Sequence, residues 1–261
     1  NKNENLILSK FINKRFKGSS KIFINDKYFN KKYKSLKEIS NLLNIDKKKK
    51  NIFLFTNVFW DVAVADRGLV FKSVLDWLFY TIDLLKNNKD FHIYIKPHPS
   101  EFKSSESLIG IEELIKLKYK ETISNITFVK AEYKIKPYDL KQFIDLAVVF
   151  NGTLNLEFML QKIPVVACGL SPTHGMKLTK EITTVPEYKK ILIDKNFDFS
   201  NFIVKDYNKL KKFSYFFFIK NSIPWKYSNN VWGENFKKFN FLSLKKLNEN
   251  KNILNHNREF I

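Results

Sequence analysis

Short apolar runs alternate with segments of helical periodicity from residue 51 onwards, and this alternation constrains the fold more than any other feature of the sequence. It is typical of parallel strands joined by crossover helices, and near-continuous apolar strands suit a sheet covered on both faces. We expect strands at 52–56, 91–96, 126–129, 146–150 and 164–168. We expect the helices between them at 69–86, 107–119, 137–143 and 154–161. The sequence therefore predicts an α/β fold with one parallel sheet and helices on both faces.

Composition divides the chain into three parts. Residues 1–50 are rich in Lys and Asn and are expected to form a lead-in and linker. Residues 51–225 are expected to form the α/β domain, and residues 226–261 a tail that is weakly ordered or packs back. Because the sequence does not begin with Met, we interpret the chain as part of a longer polypeptide.

Four smaller elements are predicted outside the main alternation. Ser35 is a suitable N-cap for a short helix at 36–43. A short strand is expected at 191–193, and an aromatic helix at 206–220 that Pro224 and Trp225 end. The tail is expected to contain one helix near 242–247.

Composition also limits the compartment and the class of protein. Hydrophobic residues make up 44% of the 261 residues, so the chain can bury a full-sized core. A single cysteine, Cys168, excludes an intramolecular disulfide and fits a reducing compartment, so we expect a cytoplasmic protein. No apolar run approaches the roughly 18 residues that a membrane-spanning helix needs.

The chain is strongly basic, with 46 Lys and Arg residues against 26 Asp and Glu residues and a net charge of +20. Only three of the basic residues are arginines, although arginine is the usual residue for recognising bases and phosphates in pairs of hydrogen bonds. Lysines run through every segment beside Asn, Ile and Phe, as an AT-rich genome would produce. The charge favours anionic partners in general, including peripheral association with the anionic inner membrane surface, and no specific nucleic acid is expected.

Glycine spacing excludes several common nucleotide sites. No two of the seven glycines are two residues apart, so neither the dinucleotide fingerprint GxGxxG nor a phosphate-binding P-loop is present. The chain has no GxSxG motif, no Asp-x-Asp pair and no cluster among its four histidines. We therefore expect neither a metal site nor a cofactor.

Two polar motifs follow predicted strands, where ligands bind in open α/β sheets. The first is Lys96-Pro97-His98-Pro99-Ser100-Glu101, in which two prolines hold the His98 imidazole rigidly. The second is Asn151-Gly152-Thr153 at the start of a helix that carries Glu157, a suitable place for a phosphate with Glu157 accepting from ribose hydroxyls. The alternatives are a structural histidine and an ordinary N-cap followed by a solvent-exposed Glu157.

Together with Thr56-Asn57-Val58-Phe59-Trp60-Asp61 and Ile163-Pro164-Val165-Val166-Ala167-Cys168-Gly169, these motifs resemble those of the capsule polysaccharide biosynthesis proteins. That family resembles the GT-B glycosyltransferases, including the bacterial Kdo transferases. The resemblance runs from residue 51 to about residue 224 and corresponds to the C-terminal, donor-binding half. It implies a Rossmann-like domain that binds a nucleotide-sugar donor and transfers the sugar, without a metal, to a saccharide or glycolipid acceptor.

The resemblance also implies roles for individual residues. His98 would bind the donor phosphate and stabilise the leaving group, with Asp61 as a second catalytic candidate. The residues implied in substrate binding are Lys96, Glu101, Asn151, Gly152, Thr153, Glu157, Thr173 and His174. Asp61 and Arg67 follow the first strand and could face a cleft between domains, and a salt-bridged loop explains them equally well.

Two departures from the family pattern matter. Only about 50 residues precede the first predicted strand, so the N-terminal acceptor domain is missing or reduced to a remnant. The related proteins commonly have Gly-x-Pro where this chain has Lys162-Ile163-Pro164. The alternatives to a glycosyltransferase are another GT-B-like activity, namely a sugar-nucleotide epimerase or a polyol-phosphate transferase, and a basic module that binds nucleic acid or a membrane surface.

Overall fold

The computed structural model describes residues 2–16, 35–59, 61, 64–98, 101, 109–130 and 133–221. The chain forms two compact units, one of residues 31–213 and one of residues 1–30 with residues 214–261. The predicted helix near 242–247, Pro224 and Trp225 lie outside the described residues.

The larger unit contains a five-stranded parallel sheet, as the sequence predicts. Its strands are β1 Lys50–Phe55, β2 Phe91–Lys96, β3 Ile126–Phe128, β4 Leu146–Val149 and β5 Val165–Ala167. They are arranged in the order β3-β2-β1-β4-β5. All four pairings are parallel, so the five strands end at the same edge. The order reverses at β1, which is the topology of a doubly wound, Rossmann-like sheet.

Seven α-helices are described along the chain: α1 Lys2–Phe16, α2 Leu36–Leu43, α3 Val74–Leu85, α4 Ile111–Tyr119, α5 Leu154–Leu160, α6 Val185–Ile193 and α7 Tyr207–Tyr215. Residues Pro137–Phe143 and Phe199–Phe202 form 3-10 helices, and α7 continues as a π-helix, Phe216–Lys220. The predicted helix at 137–143 therefore exists with a tighter winding.

Helices cover both faces of the sheet. Ile52 and Leu54 of β1 pack into a cluster with side chains of α3, α4 and α6. Phe53 and Phe55 face the other way, where the ring of Phe55 meets that of Phe158 on α5 at 4.8 Å. The alternation of β1 side chains between two buried faces explains why its sequence is apolar throughout.

Two helix starts follow from capping. Ser35 and Glu38 form a reciprocal capping box at α2, which confirms the predicted helix and its N-cap. Helix α3 begins at Val74, five residues later than predicted, because the Ser73 side chain caps it by accepting from the Asp76 amide at 3.1 Å. The residues before Ser73 are held in a loop, in which the Val70 amide donates to the Cys168 carbonyl at 3.1 Å.

The predicted strand at 191–193 is wrong, because these residues end helix α6. Thr184 caps the helix, and Pro186 lies in its first turn, where proline is tolerated. Tyr188, Ile191 and Leu192 are buried at helical spacing. A three-residue apolar run does not distinguish a strand from the end of an amphipathic helix.

In the smaller unit, residues 2–16 form helix α1, although the sequence shows only short apolar pieces there. Leu8 and Ile12, one turn apart, are its buried residues. Phe11 packs against Phe218 with ring centroids 5.4 Å apart. The aromatic run at 215–218 is only partly core, because Phe218 is buried and Phe216 is 51% exposed. Among the described helices, none has the length and apolar content needed to cross a membrane.

Candidate functional site

The candidate site lies at the carboxyl edge of the sheet, beside its central strand. Phe55 at the end of β1 is in register with Lys96 of β2 on one side and Val149 of β4 on the other. The His98 loop and the Asn151 loop therefore leave the sheet on either side of the β1 loop. With neighbouring strands roughly 4.8 Å apart, the two loops start about 10 Å from each other. The strand order reverses between β1 and β4, the position where doubly wound sheets bind ligands.

Two asparagines join the loops at this reversal. The Asn57 side-chain Nδ2 donates to the Asn151 carbonyl, and the Asn151 amide donates to Asn57 Oδ1, both at 3.3 Å. Gly152 follows with φ +106°, a conformation that favours glycine. The β4 loop is therefore fixed to the β1 loop by two backbone contacts, and its shape depends on glycine.

Helix α5 begins differently from the sequence expectation. Thr153 occupies the N-cap position without a side-chain capping bond, and its hydroxyl donates instead to Glu157 Oε1 at 2.9 Å. The other carboxylate oxygen of Glu157 accepts from the Tyr138 hydroxyl. Glu157 is only 2% exposed, so the alternative of a solvent-exposed glutamate is wrong.

Lys96 is the most unusual group at this edge. It is 4% exposed, and its ammonium makes no hydrogen bond or ion pair with any residue in the described part of the chain. Burial lowers the pKa of Lys96 to about 8, and the charge of Asp139 partly opposes this shift. Near pH 7 Lys96 is therefore charged in most molecules.

His98 lies two residues beyond Lys96 and is exposed. Partial desolvation of the ring lowers the pKa of His98, and the positive charge of Lys96 lowers it further. The negative charge of Asp61 acts in the opposite direction. The imidazole is therefore neutral near pH 7, with one ring nitrogen as a donor and the other as an acceptor. Asp61 is exposed on the β1 loop and is close enough to act electrostatically on His98.

Glu101 faces the start of α4. One carboxylate oxygen accepts from the Ile111 amide at 3.3 Å, and the other is buried without a partner among the described residues. Burial raises the pKa of Glu101 to about 7. The carboxyl group is thus about half protonated at neutral pH.

Thr173 and His174 lie on the loop after β5. Thr173 belongs to a buried cluster in which Asn155 Nδ2 donates to Ser171 Oγ at 3.0 Å and to Thr173 Oγ1 at 2.7 Å. His174 is exposed, with Nδ1 3.3 Å from a carboxylate oxygen of Glu181. The two residues therefore lie in different settings, one buried beside α5 and one at the surface.

No motif in the sequence predicts a role for Tyr138, Asp139 or Asn155. Tyr138 and Asp139 come from the 3-10 helix Pro137–Phe143 and act on Glu157 and Lys96 respectively. Nothing in the spacing of this segment indicates contact with either partner. Asn57 belongs to the motif at 56–61, and its position directly after the predicted strand at 52–56 could have identified it as a site residue.

No protein-family model matches the sequence, and no curated protein sequence matches it significantly. Solved structures with a similar fold include the beta Kdo 2,4 transferase of Thermosulfurimonas dismutans KpsC, with 15% identity, coverage of 60% of this chain and 44% of that chain, and a TM-score of 0.38. The beta Kdo 2,7 transferase of the same protein is 19% identical, with coverage of 64% of this chain and 49% of that chain and a TM-score of 0.39. The wall teichoic acid polymerase TagF is 14% identical, with coverage of 73% of this chain and 42% of that chain and a TM-score of 0.41. This chain spans less than half the length of each of these structures.

Proposed function

We propose that this chain is the donor-binding part of a surface-polysaccharide glycosyltransferase. It would bind a nucleotide-activated sugar at the carboxyl edge of the sheet and transfer the sugar to a saccharide or glycolipid acceptor. The observation that carries the proposal is Lys96, a residue 4% exposed whose ammonium makes no hydrogen bond or ion pair with a described residue and feels only the more distant charge of Asp139. Buried charges are normally paired, so this one favours an anionic ligand.

The diphosphate of a nucleotide-sugar suits this position. Lys96 supplies positive charge at the end of β2, and the exposed His98 ring lies two residues further along the chain. The Asn57–Asn151 bonds fix the neighbouring loop, in which Gly152 leaves the backbone open to close approach. Preorganised donors of this kind stabilise charge that develops on a departing phosphate. In this proposal these groups stabilise the phosphate charge that a divalent cation neutralises in metal-dependent enzymes.

Glu157 positions two hydroxyl groups beside the proposed donor site. It accepts from the Thr153 hydroxyl at 2.9 Å and from the Tyr138 hydroxyl, so it orients both groups. A carboxylate oxygen can accept more than one hydrogen bond, so the proposal includes a contact between Glu157 and a ribose hydroxyl. Because Glu157 is 2% exposed, this contact requires neighbouring side chains to move aside.

The proposal is tested by binding of free nucleotides and nucleotide-sugars. We expect one nucleotide family among CMP, CDP, UDP and GDP to raise the melting temperature, with or without EDTA. His98→Ala should weaken binding of that nucleoside diphosphate at least tenfold, about 1.4 kcal/mol, in calorimetry. The matched control is His174→Ala, because His174 is also exposed at this edge but is expected to meet only the sugar.

Three outcomes would overturn the proposal. Unchanged affinity in His98→Ala, with an unchanged melting temperature, would remove the phosphate role of His98. Stabilisation by DNA or RNA alone, lost at moderate salt, would favour a basic binding module. An isomer of the donor as product would show an epimerase.

A further inference from the structure

A second concave surface lies at the opposite, amino-terminal edge of the sheet. It is a cavity of about 820 Å³ whose lining includes the first residues of β1, Lys50 and Asn51. Asp90 and Asp145, which directly precede β2 and β4, also line it. Strand β1 is six residues long, so the cavity lies roughly 17 Å or more from the His98 loop. It is therefore separate from the proposed donor site.

The cavity is strongly basic. Six lysines line it against two aspartates, namely Lys37, Lys47, Lys48, Lys49, Lys50 and Lys195. They are six of sixteen lining residues, more than twice the share of lysine in the whole chain. A lysine-rich composition alone therefore does not account for their concentration here. We call this surface the lysine cavity.

Both aspartates of the lysine cavity are held at strand starts. Asp145 Oδ2 accepts from the Asn51 amide at 2.7 Å, and the Asp90 carbonyl accepts from the Lys50 amide at 2.9 Å. Of the six lysines, Lys50 is committed, because its ammonium donates to the Phe197 carbonyl at 2.8 Å. The remaining five ammonium groups form no ion pair with any residue that the structure describes. Their charge is available to a ligand.

Local structure brings these lysines to one place. Helix α2, fixed by its Ser35 capping box, carries Lys37. After α2 the Ile45 amide donates to the Ser40 carbonyl at 2.9 Å, and the Lys48 amide donates to Asp46 Oδ1 at 2.8 Å. This turn holds the lysines at 47–49 beside the helix. These lysines, in a segment expected to be a lead-in and linker, thus form one wall of a cavity.

The rest of the lining is suited to a polar ligand. Ser40, Asn41, Gln142 and Asn196 contribute hydroxyl and amide groups. Asn51, in the floor, is 5% exposed, and its side-chain oxygen is buried without a hydrogen-bond partner in the described part of the chain.

We infer that the lysine cavity binds a free molecule that carries two or more phosphate groups. Lysine binds phosphate as a point charge, and five ammonium groups around one concavity can neutralise several phosphates at once. A flat bilayer surface reaches the rim of a concave site more readily than its floor, so the shape favours a small molecule over a lipid headgroup. The site is independent of the proposed donor site and does not rest on the proposed function.

The test uses inorganic tripolyphosphate as the probe and the whole chain as the protein. In calorimetry at about 150 mM salt, the variant Lys37→Gln/Lys47→Gln/Lys49→Gln should bind tripolyphosphate at least tenfold more weakly than the wild type. The matched control, Lys72→Gln/Lys189→Gln/Lys205→Gln, removes the same charge from exposed positions elsewhere and should change the affinity less than twofold. Any tripolyphosphate bound at the proposed donor site should be lost in His98→Ala and retained in the cavity variant, which separates the two sites.

Lysine acetylation followed by mass spectrometry locates the probe directly. Tripolyphosphate should protect Lys47 and Lys49 from acetylation and leave Lys72 and Lys189 unprotected. Equal losses of affinity in the two triple variants would overturn the inference, because net charge alone would then account for binding. A loss in His98→Ala as large as in the cavity variant would also overturn it. So would cavity-dependent binding to phosphatidylglycerol vesicles without binding of tripolyphosphate, since the source would then be a lipid headgroup.

Discussion

At the scale of single residues, burial decides the protonation of the candidate site. Lys96 and Glu101 lie five residues apart in sequence, and burial moves their pKa values towards neutrality from opposite sides, to about 8 and about 7. His98 between them has a lowered pKa. Desolvation disfavours the charged form of each group, so all three are sensitive to a charged ligand. Titratable groups perturbed in this way are typical of functional sites.

The pKa of Lys96 predicts how nucleotide affinity depends on pH. In the free protein Lys96 loses its proton as pH rises through about 8, whereas a bound phosphate stabilises the protonated form. Binding above that pH therefore requires proton uptake, and the affinity should fall by up to tenfold per pH unit. Below pH 7 the group is protonated in both states and contributes no pH dependence. Calorimetry with a nucleoside diphosphate between pH 6.5 and 9.5 measures this profile.

The matched variants are Lys96→Met and Lys72→Met. Lys96→Met should bind more weakly at pH 7 and show a flat profile above pH 8, whereas Lys72→Met, at an exposed lysine, should keep the wild-type profile. An unchanged fall in affinity in Lys96→Met would assign the pH dependence to another group.

At the scale of elements, a buried hydroxyl network joins α3 and α6. The Tyr188 hydroxyl accepts from Trp77 Nε1 at 3.0 Å and lies 2.8 Å from Thr81 Oγ1. All three side chains are fully buried. This packing requires residues 185–193 to be helical, since Tyr188 must face α3 while Ile191 and Leu192 enter the same cluster. The tertiary contact thus selects helix over strand for this segment.

Removal of the Tyr188 hydroxyl should destabilise the fold. Tyr188→Phe leaves the Trp77 N–H buried without a partner, which costs about 1–3 kcal/mol. Urea denaturation gives the free energy of unfolding. Tyr80→Phe is the control, because Tyr80 lies in the same aromatic cluster and its hydroxyl makes no hydrogen bond to a described residue. Equal effects of the two substitutions would show that the network does not support the packing of α3 on α6.

At the scale of the whole molecule, the net charge of +20 opposes compaction. Salt screens this repulsion, so the melting temperature should rise by about 2–5 °C between roughly 10 and 200 mM sodium chloride. The triple variant Lys72→Gln/Lys189→Gln/Lys205→Gln should start from a higher melting temperature and depend less on salt. Thermal denaturation followed by circular dichroism tests both. A melting temperature that falls with salt would show that attractive ion pairs outweigh the repulsion.

Much of the fold could be predicted from the sequence. All five strands lie within two residues of their expected bounds, because near-continuous apolar runs of strand length between turn signals favour strands of a buried parallel sheet. The helix at 36–43 was predicted from its N-cap. Helix α6 was missed because its apolar residues pack against α3, which is distant in sequence. The start of α3 was placed too early because the Ser73 cap was overlooked.

The sequence also predicted that the Lys96 and Asn151 motifs follow strands of the sheet. The expectation that these two strands are neighbours is wrong, because β1 lies between β2 and β4. It could not predict that Thr153 donates to Glu157 or that Tyr138 bonds the same carboxylate, since these contacts depend on how the 3-10 helix packs against α5. The roles assigned to His98, Asp61 and the substrate-binding residues remain predictions.

The sequence by itself determined the fold class, because the period of its apolar residues allows few other arrangements. It also determined which polar motifs leave the carboxyl ends of the strands. Tertiary structure alone decided the state of those motifs: the burial of Lys96 without a hydrogen-bond partner among the described residues, and the approach of Asn57 to Asn151. It likewise turned a lysine run into one wall of a cavity. Period is a local property of the chain, whereas desolvation and charge proximity depend on residues far apart in sequence.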